Sequence, residues 1–393
     1  MTPTQNEKKE KRSSETASDG YIYYGGTARR YRKCKRIVLA MWLLILAVTL
    51  VFFTDPIRAV QLRYLTKYWS LNPLTLDEQY HDILYSVGGG SRFAFYRDDI
   101  AVFGEERLSL YDLSGELVFD ADAPTGKLSA DVSGARLVLF SPGAKQASFY
   151  HSFAKEGSVS FPLPVADVCV SGTGMSAVCL KDGDGTRVAL LNDRLETMEM
   201  LTITDGVVMD TALSHSGGTL CVLSLSGTGG AYLTTLSLLD TESGEVLTRE
   251  TFGGKKPIAA GFFEGGGIYA LTDRSLVVFR KNGNVIGEIP LTGEIADYYV
   301  QGDRLVLLDR AGRVTLFDDN AEMLFSELHT GVLDLKLSED TVYLLKERTL
   351  LLCTEKEKAI SESEITSGVL DFFILDDGSV LLCYPSRTAR IKP

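Results

Sequence analysis

Asp297, Asp334 and Asp371 each complete a similar phrase, at spacings of 37 and 37 residues. The phrases read Ile295-Ala296-Asp297, Val332-Leu333-Asp334 and Val369-Leu370-Asp371. The register extends backwards through Ala260, Asp210, Asp167, Ser129 and Arg92, in steps of 37, 50, 43, 38 and 37. If the chain gathered Asp167, Asp210, Asp297, Asp334 and Asp371 around one opening, that ring would hold a cation or a basic peptide. Spread one per structural unit, the same carboxylates would instead accept local backbone N–H groups and fix the turn into each unit. A feature that recurs once per unit belongs to scaffold more readily than to a site, because sites break symmetry.

Other chemistry is harder to assemble. His81, His151, His215 and His329 show no metal-ligand spacing. The chain lacks the Gly-x-Ser-x-Gly nucleophile elbow. Asp182-Gly183-Asp184-Gly185 hints at a calcium loop, but Arg187 falls where that loop needs glycine, and Asp193 falls where it needs glutamate. It therefore reads as a hairpin turn. Gly172-Thr173-Gly174 and Gly227-Thr228-Gly229-Gly230 lack the strand-to-helix setting that phosphate loops require. No catalytic, cofactor-binding or metal-ligating residue is assigned, and the sequence reads as non-enzymatic.

The elements behind the aspartates are short strands. In residues 331–368, Val332 to Leu337, Thr341 to Leu345 and Thr349 to Cys353 are apolar runs separated by polar turns, and a weaker run ends at Ile365. This is the pattern of a four-stranded antiparallel meander. Ser114-Gly115, Ser243-Gly244 and Asn282-Gly283 supply turn residues between third and fourth runs. One such sheet cannot bury both faces alone, whereas radial stacking does bury them. The expected fold is an all-β, eight-bladed β-propeller; seven blades follow if unit 205–254 or 125–164 is irregular. The final unit stops about one strand short at Pro393, and the spare run Ile83 to Val87 is expected to complete it.

Ile37 to Phe53 is a 17-residue apolar run broken only by Thr49. At about 1.5 Å per residue it spans roughly 26 Å, the short end of a transmembrane helix. Arg29, Arg30, Arg32, Lys33, Lys35 and Arg36 precede it, so the positive-inside rule keeps that flank cytoplasmic and exports the rest. The bulky Leu50-Val51-Phe52-Phe53 end argues for an uncleaved signal anchor rather than a cleaved signal peptide. The expected organisation is a basic disordered tail (1–36), a membrane anchor in the lipid bilayer (37–53), a short helical stem (54–76) and an extracytoplasmic propeller (77–393). Asp55-Pro56 starts the stem, whose Tyr64, Tyr68 and Trp69 among cations suit either the headgroup layer or packing on the propeller.

The tail has ten Lys and Arg against four Asp and Glu, a balance of +6; beyond residue 36, 30 cations face 48 anions, a balance of −18. An acidic exported domain argues against nucleic acid as partner. Five cysteines, Cys169, Cys179, Cys221, Cys353 and Cys383, sit in apolar strand runs, and Cys34 lies in the tail. Cys169 and Cys179, on successive strands of one unit, would form a disulfide only if they face each other, and the odd cysteine count speaks against disulfide dependence. The odd count and the absence of any Asn-x-Ser/Thr site favour a bacterial cell membrane.

The phrase hydrophobic-x-Asp, a polar turn and an apolar strand resembles the blades of WD40-like and quinoprotein-like propellers. Tyr111-Asp112-Leu113-Ser114-Gly115 and Asp240-Thr241-Glu242-Ser243-Gly244 resemble the quinoprotein turn. That family adds a Trp that docks neighbouring blades. Here Trp42 and Trp69 both precede the repeats, which speaks against a quinone cofactor. The architecture as a whole resembles an uncharacterised Firmicutes family of single-pass membrane-anchored propellers. Relatives in fold, such as the propeller subunit of the outer-membrane barrel-assembly machine, imply a docking platform. The expected function is therefore a tethered scaffold for a protein or envelope polymer; the alternative is a ligand-sensing receptor signalling through the basic tail.

Overall fold

The computed structural model describes residues 33–48, 82–85, 90–104, 107–134, 136–151, 154–183, 185–228, 230–354 and 361–393. The chain divides into two units, Met1–Pro73 and Leu74–Pro393. In the first, residues 33–48 form a helix whose apolar side chains, Ile37, Trp42 and Leu44 among them, are exposed. No helix among the described residues is long and apolar enough to cross a membrane. The rest of the apolar run (49–53), the expected stem (54–76) and most of the tail (1–32) lie outside the described residues.

The second unit is an eight-bladed β-propeller, each blade a four-stranded antiparallel sheet. Blade 1 comprises Arg92–Tyr96, Asp99–Phe103, Arg107–Tyr111 and Leu117–Asp122. Blade 2 is Ser129–Val132, Leu137–Phe140, Gln146–His151 and Ala154–Ser160; blade 3 is Val165–Val170, Ser176–Asp182, Gly185–Leu191 and Thr197–Ile203. Blade 4 is Val207–Leu213, Thr219–Thr228, Ala231–Asp240 and Val246–Gly253; blade 5 is Pro257–Phe262, Ile268–Thr272, Ser275–Phe279 and Val285–Pro290. Blade 6 is Ile295–Gln301, Arg304–Asp309, Arg313–Asp318 and Met323–Leu328; blade 7 is Val332–Ser338, Thr341–Lys346, Thr349–Thr354 and Ser361–Glu364. Blade 8 combines Asp371–Ile374, Val380–Cys383 and Arg387–Ile391 with Ile83–Leu84 from the start of the propeller. The 50-residue step from Asp210 to Ala260 is taken up in blade 4, whose two middle strands run to 10 residues each.

First strands of neighbouring blades lie against one another and form the inner ring. Burial then falls outward along each blade. Middle strands such as Leu137–Phe140, Ile268–Thr272 and Val380–Cys383 are buried throughout, because both faces meet a neighbouring blade. They read as unbroken apolar runs for that reason. The outer strand Val285–Pro290 alternates between exposed and half-buried residues. Each seam between blades holds its own apolar cluster, such as Val138, Phe149, Val178 and Leu180 between blades 2 and 3. Fully burying one such side chain contributes about 1.5–3 kcal/mol, so these seams do the work that a docking Trp does elsewhere.

Turn chemistry fixes the hairpins. Asp112 Oδ1 accepts the N–H groups of Ser114 and Glu116, both at 2.9 Å, while Gly115 takes φ +84°. Gly283 (φ +82°) has a second constraint: a Cβ there would meet Thr248 Oγ1 of blade 4 at 2.3 Å. The ring closes as the spare run suggested, with Ile83 paired to Thr388 and Leu84 to Arg387. The closing ladder is shorter than the expected 83–87, ending at Leu84; residues 86–89 lie outside the described residues.

Candidate functional site

An inner strand has a sheet partner on one side only, so backbone groups on its other edge need acceptors from elsewhere. The repeated aspartates supply them. Asp297 Oδ1 accepts the Tyr298 N–H at 2.8 Å, Asp334 Oδ1 that of Leu335 at 2.7 Å, and Asp371 Oδ1 that of Phe372 at 2.7 Å. Asp210 reaches across a seam, its Oδ2 accepting the Ala260 N–H of blade 5 at 2.8 Å. Asp167 accepts from Val168 and from the Thr211 hydroxyl of blade 4.

The start of each of these strands is bulged. Register shifts fall between Val165 and Asp167, Val208 and Asp210, Ile295 and Asp297, and Val332 and Asp334. A bulge places one extra residue in the strand and re-aims its side chain. The extra residues are Ala166, Met209, Ala296 and Leu333, and all are exposed. Leu370, which precedes Asp371, is also exposed. Met209 is 51%, Leu333 63% and Leu370 53% accessible, so large apolar side chains stand at the inner-strand starts directly before the carboxylates.

Burial dominates the electrostatics of these carboxylates. It pushes Asp131 and Asp210 up to about 7 and Asp334 to about 6, and it raises Asp167 and Asp297 in the same direction. The neighbouring carboxylates add to the rise at Asp210 and Asp334. Lys336 breaks the repeat. Its Nζ donates to Asp371 Oδ1 at 2.6 Å and to the Phe372 carbonyl, and it lies 4.2 Å from the Phe373 ring centroid. The blade 6–8 side of the ring thus carries its own cation, which lowers the shift at Asp297 and Asp334.

The structure brings all five sequence-assigned aspartates, Asp167, Asp210, Asp297, Asp334 and Asp371, onto inner strands. It adds Asp131 of blade 2, whose Oδ2 accepts the Val170 N–H of blade 3 at 2.7 Å. Counted back from the hairpin, Ser129 opposite Phe140 stands where Asp167 stands opposite Cys179, so the expected Ser129 keeps its place and Asp131 lies two residues further along the strand. In blade 5 the bulge lies between Pro257 and Ala259, so Ala259, one residue before the expected Ala260, occupies the aspartate position. Lys336 carries no periodic mark and was not legible as a site residue.

Elsewhere, Asp182 pairs with Gly185 across a tight hairpin with Gly183 at φ +60°. Cys169 and Cys179 are buried free thiols, which corrects the disulfide considered for that pair: their partners across the ladder are Ala177 and Asp167, and Cys179 Sγ lies 3.3 Å from Thr211 Oγ1. His329 Nε2 lies 3.8 Å from Cys353 Sγ and 3.6 Å from Glu327. Burial lowers the His329 pKa and raises Cys353 to about 11, which opposes a thiolate–imidazolium pair. Among the described residues no three His, Cys, Asp or Glu side chains are grouped to hold a metal ion.

Comparison with solved structures supports the architecture. BamB from Moraxella catarrhalis is similar over 79% of this chain and 97% of its own, with 12% identity and a TM-score of 0.55. Sqt1 from Saccharomyces cerevisiae is similar over 80% of this chain and 97% of its own, with 11% identity and a TM-score of 0.58. At these identities the likeness is one of fold. No curated protein matches the sequence. A family model covers the propeller from residue 79 to 392, and the chain belongs to that family, described as a family of unknown function (DUF5711).

Proposed function

We propose that the protein is a membrane-tethered, extracytoplasmic β-propeller that binds a protein or envelope polymer at its channel mouth and has no catalytic chemistry of its own. One observation carries the reading: Met209, Leu333 and Leu370 are exposed beside the ring of carboxylates. Single exposed apolar residues are ordinary, but a large exposed apolar residue directly before the aspartate on three inner strands favours a contact surface. Tethering is supported by the Ile37–Phe53 run behind six cations.

The test is a paired substitution in cells. Met209→Ser, Leu333→Ser and Leu370→Ser together should reproduce the phenotype of a deletion while protein level and melting temperature stay unchanged. Val246→Ser with Val285→Ser, on exposed outer strands, should be neutral. Full complementation by the mouth variant would remove the reading. A receptor signalling through the basic tail makes a different demand: deletion of residues 1–28 would then abolish function, whereas a scaffold keeps working.

A further inference from the structure

We infer that the cleft between the inner-strand starts of blades 1 and 2 is a binding site for a phosphate group, held by Arg92 and Lys127. The inference rests on the scaffold reading above and deepens it, by naming the chemistry of an envelope polymer that the mouth would hold. These two blades break the carboxylate pattern of the ring. Arg92, opposite Phe103, stands where Asp297 stands opposite Leu308, each four residues before the last pair of its hairpin. Ser129 fills the same place in blade 2, so two adjacent blades present no carboxylate there. Asp131, further along that strand, is committed to the Val170 N–H of blade 3. Ala259 of blade 5, the remaining exception, has aspartate-bearing blades on both sides.

A cavity of about 350 Å³ opens at this break, lined by Arg92, Lys127 and Phe103 and by Gly90, Gly104 and Gly126. That volume is at the small end of the range for ligand sites. The glycines let a ligand come close to the backbone, and no acidic side chain lines the walls among the described residues. Arg92 donates to the Leu128 carbonyl at 2.7 Å, which steadies the guanidinium at the seam. The rest of its donor fork has no partner among the described residues, and exposed Lys127 makes neither a hydrogen bond nor an ion pair there. A guanidinium fork binds two oxygens of an anion side by side, and an ammonium adds a point charge; together they are the pairing that phosphate recognition uses. A cationic ligand would meet like charge here, and an apolar one would desolvate both cations. The turns between third and fourth strands lie on the opposite face and carry Asp112, Glu116, Glu242, Glu245, Asp319 and Glu322. They repel a polyanion and so direct it to the mouth side.

The experiment uses the full chain in a phosphate-free non-ionic detergent and three probes: inorganic phosphate, a linear glycerol phosphate oligomer, and an oligoglutamate of matched charge. Calorimetric titration should show binding of a phosphate probe that weakens with added salt, and binding of oligoglutamate weaker by about tenfold. Arg92→Gln with Lys127→Gln should weaken phosphate binding by about tenfold, whereas Arg348→Gln, which removes an exposed cation from a blade 7 turn, should leave it unchanged. If the double variant does not fold, Lys127→Gln alone decides, since that side chain holds nothing in place among the described residues. Binding of the oligomer without binding of free phosphate supports a polymer as the source; equal binding of both supports the site with free phosphate sufficient. No binding of either phosphate probe, equal binding of oligoglutamate, a Lys127→Gln protein that binds like the wild type, or an equal loss on Arg348→Gln would overturn the inference. Binding that emerges only after Glu105→Gln with Glu106→Gln would also overturn it, because these sequence neighbours of Gly104 would then be the anions that the two cations hold. Each of these failures leaves the scaffold reading standing, since that reading is tested by the Met209, Leu333 and Leu370 variants.

Discussion

Ile83 pairs with Thr388 across the closing ladder of blade 8, so the first and last strands of the propeller hold one sheet together. Tyr85 locks the junction. Its hydroxyl lies 2.5 Å from the Tyr384 carbonyl oxygen and 2.7 Å from that of Arg387, and it shares its single proton between them. Asp82 and Arg387, 305 residues apart, form an ion pair beside it at 2.5 Å.

Removing this closure should be costly. A chain beginning at Glu78 is expected to melt cooperatively, and one beginning at Gly90 to aggregate or melt far lower, because it exposes the edge of Arg387–Ile391. Tyr85→Phe should lower stability by roughly 1–2 kcal/mol, the range for a lost buried hydrogen bond. Equal melting temperatures for the two truncations would contradict the closure.

The aspartates separate two roles by substitution. Asp297→Ala and Asp334→Ala remove the acceptor of the Tyr298 and Leu335 N–H groups, and each should lower stability by roughly 1–2 kcal/mol. Asp210→Asn keeps an oxygen for the Ala260 N–H and removes only the charge. Calorimetry of the Ala and Asn series, run in parallel, checks the distinction. Indistinguishable Ala and Asn effects at each position would contradict it.

Their titration predicts a direction. Asp131 and Asp210 stand near 7 in the folded chain, above the unfolded value of about 3.9. Between those values the folded state binds more protons, so stability is present in acid and falls as pH rises through about 7. The melting temperature should therefore climb from about pH 8 to about pH 5, before general acid effects intervene. Asp131→Asn with Asp210→Asn should flatten that slope and stabilise the chain at the alkaline end. An unchanged slope would show that burial does not control these groups.

Much of this architecture is legible from spacing, and the limits are physical. The aspartate period reveals the blades because each inner strand faces the same problem, an open edge with unpaired N–H groups. The hairpins are visible through Asp112 and Gly115, where side-chain acceptors and positive φ leave a residue-type signature. Blade 4 keeps its place in the ring despite its long step, since lengthening a hairpin outward does not disturb the inner strand. What spacing hides is anything unrepeated. Asp131 lies outside the drawn register, and Lys336 gains its role only when folding sets it against Asp371 and Phe373. The exposure of Leu333 is equally hidden, because an apolar residue before an aspartate reads as core until the bulge turns it outward.

Lys336→Met should preserve packing over the Phe372 and Phe373 rings while removing the charge. The expected loss is roughly 1.5–3 kcal/mol at about pH 8, the range for a hydrogen bond to a charged group. It should shrink as Asp334, near 6, becomes protonated. A loss independent of pH would assign Lys336 to packing alone.

The proposed topology rests on the six cations before Ile37. Protease added to intact spheroplasts should degrade the chain beyond residue 55 and spare the basic tail. A protected propeller would place the domain on the other side of the membrane and end the extracytoplasmic account.

Whether the proposed partner docks at the inner-strand starts or on the rim is decided by a photoreactive phenylalanine analogue placed at Leu333 and, separately, at Met198 on an outer strand. Irradiation of intact cells should give a discrete adduct from position 333 and none from 198. An adduct from position 198 with none from 333 would contradict docking at the strand starts and move the working surface to the rim.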